Sequence, residues 1–551
     1  MTAIHLRSSV LAAMCCLLGF SSARAATLPA GFSETRVASG IANPTAMAIA
    51  PDGRIFVAEK GGALRVVKNN ALLSQPFLTV SVSTQSERGL LGVAFDPDFN
   101  VNRFVYVYYT TATAPIHNRV SRFTASAGNP DVAQAGTELP ILDLPTLNAG
   151  NHNGGAIHFG VDGRLYVAVG ENALPSNAQS LNTRLGKMLR INANGSIPTD
   201  NPFYRSATGV NRSIWAYGLR NPFTFAVDPT LGRININDVG QDVWEEVDVG
   251  AKGSNYGWPQ VEGPDPAGVS GVRYPTHAYQ HGGTNCAIVG ATFYRPYIYS
   301  FPVAYDGRYF FGDLCGGFIR TLSPPDYTSA TGFAGGISSL VDIQTHPDGS
   351  LYYLAQTGGE LWRVQSTTST TVFYDDFETA KGWLLTGGAN TATRGLWQRG
   401  DPEPTNVGGI PLQVGSCQGS TNCLITALAA GAANGSNDVD GGQTSIQSPA
   451  IALPAGRTIT LSFGMYFSHD AATTSTDLFR VRVVGENGVV QTVWARAGTT
   501  KQVTGRWETR TANLSAWAGQ TIQLRIDAID SNDGAGSLVE AGVDNVAITA
   551  H

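Results

Sequence analysis

The chain has 551 residues, more than one hydrophobic core usually serves, so two domains are expected. A formal net charge of -6, a pI near 5.9 and a charged fraction of 14% exclude the basic face that nucleic-acid binding requires. Glycine is abundant at 64 residues, Thr, Val and aromatics recur in short runs, and long amphipathic helical periodicity is missing, which predicts an all-β protein rich in turns.

The amino terminus reads as a targeting segment. His5 and Arg7 precede an apolar run from Val10 to Phe20, and Ala23-Arg24-Ala25 gives a small-residue cleavage pattern, so residues 1–25 are expected to be a secretory signal. The apolar run is too short to span a bilayer, no transmembrane segment follows, and the protein is expected to be periplasmic or secreted. Four cysteines then remain in an oxidising compartment, and pairing Cys286 with Cys315 and Cys417 with Cys423 keeps each bridge within one domain.

Beyond the signal the chain repeats itself. Ala46–Ala58 reads Ala-Met-Ala-Ile-Ala-Pro-Asp-Gly-Arg-Ile-Phe-Val-Ala, with echoes at Gly92–Phe99, Ala156–Ala168, Phe223–Pro229, Tyr305–Phe310 and Val341–Tyr353. The clearest copies are strand, Asp-Gly turn, strand, and their spacing suits four-stranded blades joined by variable loops. Six copies predict a six-bladed β-propeller over residues 27–364, closed by pairing of the segment after Leu28 with the strands near Leu361–Val364.

Within that region two stretches are dense in chemistry. Asn148–Gly155, Asn-Ala-Gly-Asn-His-Asn-Gly-Gly, leads into a blade strand and places His152 at the mouth of the axial funnel. Arg220 and Asn221 stand at the equivalent start of the next blade, followed by the carboxylates Asp238, Asp242, Glu245 and Glu246 between Gly240 and Gly257. A histidine can take a hydroxyl proton, a guanidinium can stabilise an oxyanion, and an oxygen-rich, glycine-bent loop suits a hard cation such as calcium. Nucleophile motifs, phosphate loops and zinc spacings are missing, so the chemistry points to proton removal with electrophilic help.

Residues 365–371, Gln-Ser-Thr-Thr-Ser-Thr-Thr, form a polar linker, and residues 372–551 alternate in short strands (Thr458–Phe463, Leu478–Val484, Thr521–Asp527) without the blade signature. A C-terminal β-sandwich, jelly-roll-like, is expected there, with Asp438, Asp440, Glu540 and Asp544 as either a calcium site or ordinary acidic turns. Attachment to a glycan or cell surface through this domain is one role; a solubilising appendage is the other.

Taken together, Glu87–Phe99, the Asn-His-x-Gly-Gly around His152, Leu185–Ile191, Tyr217–Pro222, Gly240–Glu246 and Asn255–Pro259 resemble the glucose/sorbosone dehydrogenase family, the soluble quinoprotein sugar dehydrogenases, over about residues 30–364. The resemblance implies a six-bladed propeller that oxidises the C1 hydroxyl of an aldose to a lactone with pyrroloquinoline quinone (PQQ) and calcium, passing electrons to an acceptor of unknown identity. By motif, His152 matches the base, Arg220 and Asn221 the cofactor contacts, the carbonyls of Gly240 and Gln241 the ligands of the cofactor calcium, and Glu246 with the Tyr256 carbonyl a second, structural calcium. The chain departs from that pattern in carrying Arg88 before Gly-Leu-Leu, and Leu314-Cys315-Gly316 and Ser338-Ser339-Leu340-Val341 where the family supplies a Lys and an Arg-x-Arg to the cofactor's carboxylates. Arg88 and Lys187 are the cations left to take that part, and in these features the chain looks closer to the hedgehog-interacting-protein-like branch. The alternative function is therefore a non-catalytic, calcium-stabilised propeller binding a glycan or protein partner.

Overall fold

In a computed structural model the described residues are 25–265, 268–429, 435–531 and 536–551; the expected signal segment lies outside them, save its last residue. Among the described residues no helix is long and apolar enough to cross a membrane. Six antiparallel sheets follow one another around a ring. Blade 1 comprises Pro44–Ile49, Ile55–Glu59, Ala63–Lys68 and Ala71–Leu72, with Leu78–Thr79 on its flank; blade 2 runs from Leu90–Phe95 to Leu139–Thr146, blade 3 from Ile157–Phe159 to Ile214–Tyr217, and blade 4 from Pro222–Val227 to His277–Gln280. Blade 5 runs from Ile288–Phe293 to Ala330–Gly335, and blade 6 takes Leu340–Thr345, Leu351–Ala355 and Glu360–Ser366 together with the first strand of the chain, Phe32–Ala38.

That last pairing closes the ring as expected: Phe32 lies opposite Ser366 and Arg36 opposite Trp362. Closure pairs the first strand of the chain, which would otherwise stand as an open edge. The second strand of a blade packs against neighbours on both faces, which is why Ile55–Glu59, Leu165–Val169, Ile234–Asp238, Tyr309–Asp313 and Leu351–Ala355 are buried along their whole length. Each core cluster of the propeller lies between consecutive blades, from Phe56 against Val93 and Val107 round to Leu354 and Leu361 against Met47 and Val57. Cohesion is therefore distributed round the ring.

The C-terminal region is a sandwich of two six-stranded sheets. The long strands Ile459–His469 and Val539–Ala550 pair in one, Leu478–Val484 and Thr521–Asp530 in the other, and Phe463, Phe479, Trp397 and Ile548 fill the space between them. The expected linker is shortened at both ends, because Gln365 and Ser366 still pair with Ser33 and Phe32 while Thr370 and Thr371 already pair with Ala550 and Thr549. Residues 367–369 alone join the two parts. Both expected disulfides form, with Cα separations of 5.5 Å for Cys286–Cys315 and 5.6 Å for Cys417–Cys423.

The expected acidic cluster of the sandwich divides. Asp438 is 2% exposed, and burial with Asp440 and Asp530 nearby raises it to about 7; Glu540 is raised by burial and by Asp438. Asp544 takes no part. It lies four residues along the strand from Glu540, roughly 13 Å at the usual rise, and instead accepts hydrogen bonds from Gln418 N and Ser420 Oγ.

The sandwich docks on the hairpin-turn end of the propeller. Ser462 Oγ donates to Tyr297 O at 2.8 Å and Arg506 Nη2 to Thr230 O at 2.8 Å, beside a cleft of about 610 Å³ lined by Asp98, Val161, Tyr297, Gln418 and Trp507. Strand Ile234–Asp238 runs from that end to the opposite one, where Asp238 meets Arg220 and Asn221. A chain ending after Thr367 keeps the ring-closing ladder and the Thr367 N to Gly31 O bond. Such a truncation is expected to fold with its axial cavity unchanged; an unfolded circular-dichroism spectrum would show that the propeller depends on the sandwich.

Candidate active site

At the end remote from the sandwich the funnel opens into a cavity of about 470 Å³, within the range of small-molecule sites. Leu91, Phe223, Val289, Leu314 and Val341 supply apolar walls; His152, Arg220, Asn221, Gly240 and Gln241 line it, together with Lys60, Glu87, His281 and Gln356. Blades 1, 2, 4, 5 and 6 and the connections on either side of blade 3 contribute. The cavity is thus a product of ring closure and is legible only in part from any one segment.

His152 is held by backbone and side chain together. It sits in the left-handed region at φ 55°, an uncommon conformation for a residue with a Cβ that is found preferentially at functional sites. Its N–H donates to Glu87 Oε2 at 2.7 Å, its carbonyl accepts from Asn172 N at 3.2 Å, and its Nδ1 lies 2.5 Å from Glu171 Oε1. A Cβ on Gly170 would stand 2.2 Å from His152 O and 2.8 Å from Asn221 Oδ1, so the close approach of these chains requires glycine there. The Glu171 side chain is 1% exposed, and its Oε2 is buried without a partner. Carboxylate and imidazole form a dyad that fixes the ring and leaves Nε2 for a substrate. Glu171→Gln is expected to lower turnover on the order of tenfold or more with ligand affinity retained; unchanged turnover would reduce Glu171 to packing.

Arg220 and Asn221 are fixed by one carboxylate. Asp238 accepts from Arg220 N at 2.9 Å and Asn221 N at 2.7 Å, while Asn221 Oδ1 accepts from Gly154 N at 3.0 Å and so ties this turn to the His152 loop. The guanidinium donates to Val239 O at 3.1 Å and lies 5.6 Å from the Trp258 ring centroid, with its Nε buried and unpartnered. It keeps donors in reserve.

The four carboxylates read together in the sequence go to three places, because strand residues alternate faces. Glu246 lies opposite Asp238 in the ladder and Asp248 two residues on, so one face gathers Asp238, Glu246 and Asp248 with oxygens within 4.8 Å of one another. Both oxygens of Asp248 are buried without hydrogen bonds. Burial raises the Asp238 carboxyl to about 7, and burial with its acidic neighbours raises Glu246 and Asp248 as well. Three buried carboxylates, one of them with both oxygens orphaned, are what a hard cation satisfies and a salt bridge here does not. Tyr256, also buried, hydrogen-bonds through its hydroxyl to Val249 O at 2.8 Å on the same strand. Glu245 faces the other way, pairing with His281 Nδ1 at 2.6 Å and accepting from Ile288 N at 3.0 Å; Asp242 is exposed on the turn.

Arg88 departs from expectation. It does not line the cavity, since its guanidinium is turned to Gln85 Oε1 at 3.0 Å and Ala149 O at 2.9 Å, where it braces the His152 loop. Lys187 is likewise spent: it is buried, donates to the carbonyls of Asn177, Ala178 and Leu185, and burial lowers it to about 7. Glu171, Glu87, Lys60 and His281 are the site residues that sequence reading missed. Glu171 lies 19 residues after His152, just past the second strand of the blade, Leu165–Val169, and only the blade hairpin brings the two together.

Residues 41–363 match the sequence model of the Glucose / Sorbosone dehydrogenase family. The aldose sugar dehydrogenase YliI of Escherichia coli (strain K12) is 30% identical over 386 residues, covering 66% of this chain and 99% of that protein. The solved PQQ-bound aldose sugar dehydrogenase of Streptomyces coelicolor superposes with a TM-score of 0.52 at 26% identity, over 62% of this chain and 99% of that one. The hedgehog-interacting protein of Mus musculus is 32% identical over 228 residues, 36% of this chain and 32% of that protein.

Proposed function

The chain belongs to the glucose/sorbosone dehydrogenase family, and on that premise we propose that it is an exported quinoprotein oxidising the C1 hydroxyl of an aldose to a lactone with PQQ and calcium. The observation that carries this reading is the His152–Glu171 dyad set beside Arg220 and Asn221 at one apolar-walled cavity. The wall residues suit a flat aromatic ligand, and Arg220, with donors in reserve, suits its carboxylates. Bound PQQ supplies a hydride acceptor that no side chain can provide.

The protein's own residues then divide the remaining work. His152 Nε2 takes the proton from the sugar's C1 hydroxyl as hydride leaves that carbon, and Glu171 holds the ring through Nδ1 and stabilises the imidazolium that results. Arg220 and Asn221 orient the ligand, and Asp238 keeps both backbones in place. The carbonyls of Gly240 and Gln241, in a loop held by Glu245 and Glu262, are assigned to a cavity calcium, and Asp238, Glu246 and Asp248 with the Tyr256 carbonyl to a structural one. Apolar walls limit water around the transferring hydride.

Titrating the purified full chain with PQQ in calcium, then adding aldoses with an artificial electron acceptor, tests the reading: quinone absorbance retained on the protein and aldose-dependent reduction are expected, and neither appearing would reject it. A second reading, a calcium-stabilised binding propeller, draws on the uncharged Leu314 and Val341 in the cavity wall and on the likeness to hedgehog-interacting protein. It predicts calcium binding without PQQ binding.

A further inference from the structure

Lys60 follows the second strand of blade 1, Ile55–Glu59, and is fixed there from three sides. Its N–H donates to Asn43 O at 3.0 Å, its carbonyl accepts from Leu90 N at 3.2 Å, and its Nζ donates to Ser86 O at 2.5 Å. Gly89 lets blade 2 come this close, since a Cβ there would stand 2.5 Å from Lys60 O and 2.8 Å from Lys60 Cγ. Lys60 lines the axial cavity, as does Ser86, whose carbonyl the ammonium meets. It forms no ion pair among the described residues, so of its three N–H donors one is used within the chain.

Lys60 and Arg220 are the lysine and arginine that line this cavity, and they belong to opposite sides of it. Lys60 lies on blade 1, Arg220 enters blade 4, and in a six-bladed ring these face each other across the axis. Blade 6 is the neighbour of blade 1, and Gln356 Nε2 touches Pro44 O at 3.4 Å. Lys60 therefore stands on the blade next to blade 6, whose Val341, like Leu314 of blade 5, lines the cavity without charge. The carboxylate that also lines the cavity, Glu87, precedes blade 2 and accepts from His152 N at 2.7 Å. A ligand with carboxylates at both ends would meet a cation at each.

We infer that Lys60 holds a carboxylate of the flat anionic ligand in the axial cavity, opposite the end held by Arg220, so that blade 1 supplies the cation that blades 5 and 6 lack. This rests on the quinoprotein reading above. Lys60 is a positioning residue and takes no part in proton transfer: it fixes the ring's orientation relative to His152 and sets affinity rather than the intrinsic rate.

The test is a titration of the metal-replete full chain with PQQ, followed by quinone absorbance and intrinsic fluorescence, for the wild type, Lys60→Met, Lys60→Arg and His152→Asn, with circular dichroism as the check on folding. Lys60→Met is expected to bind PQQ about 10- to 100-fold more weakly, the loss of one charge-assisted bond, and with a shallower dependence on salt. Lys60→Arg should stay within a few-fold of the wild type, and His152→Asn should bind as the wild type does. Equal affinity and equal salt dependence in Lys60→Met would overturn the role of Lys60 while leaving the quinoprotein reading intact. A wild-type protein that fails to bind PQQ would sink both.

Discussion

Replacing His152 with alanine is expected to lower aldose turnover by about 10²–10⁴-fold, the usual contribution of a positioned general base. The ring is the group that the site is built to hold: Glu171 pairs with Nδ1, Glu87 caps the N–H, and Gly170 makes room for the carbonyl. None of these contacts builds the blade cores, so the fold should survive. Asparagine tolerates the left-handed backbone at this position better than alanine does, and His152→Asn is therefore the cleaner variant. Its kcat should fall as far as that of His152→Ala, with PQQ affinity and melting temperature close to the wild type. Wild-type turnover in either variant would remove His152 as the base, whereas loss of PQQ binding with retained turnover at saturation would make it a ligand contact instead.

How far the site could be read from the sequence follows from how each part is encoded. The ring was legible because each blade repeats a local signal, a strand, an Asp-Gly turn and a strand, and because Phe32–Ala38 needed a partner that only the last blade could offer. His152, Arg220 and Asn221 were legible because each stands in a short polar and glycine-flanked motif at the start of a blade. Glu171, Lys60 and His281 carry no such mark. Each lies just past the end of a strand and joins the site only because separate blades converge on one axis, Lys60 and His281 lining the cavity and Glu171 pairing with His152 Nδ1.

Arg88 illustrates the converse. A cation beside a recognisable motif invites a ligand-binding role, yet a backbone carbonyl and an amide oxygen claim it before any ligand can. The acidic stretch after Asp238 was readable as a carboxylate cluster but not in its membership, since consecutive strand residues face opposite ways. Glu245 and Glu246 are neighbours in sequence and strangers in space: one serves His281, the other joins Asp238 and Asp248. Asp248, two residues further on, completes the cluster that a run of adjacent acids only suggested.

Removal of calcium is expected to lower the melting temperature sharply at pH 8 and much less at pH 6. The Asp238, Glu246 and Asp248 carboxyls are buried together, and without a cation all three are raised, Asp238 to about 7. A carboxyl raised in the folded state opposes folding once pH exceeds its unfolded value near 4, because the unfolded chain ionises first; the opposition grows until pH passes the folded value, at about 7 for Asp238. Near pH 6 the metal-free cluster keeps protons and is tolerated. At pH 8 it must either ionise unpaired or hold a cation, and a bound cation must expel the protons that remain, so affinity rises with pH. Calcium at 100 times its Kd adds about 2.7 kcal/mol to a fold that alone can bind it. Melting curves with calcium and with EGTA at both pH values measure this directly, and Asp248→Asn should abolish most of the EGTA effect by neutralising the carboxylate that has no other partner. An EGTA melting curve identical to the calcium curve at pH 8 would remove the structural calcium, and an effect of equal size at pH 6 would detach it from these three carboxyls.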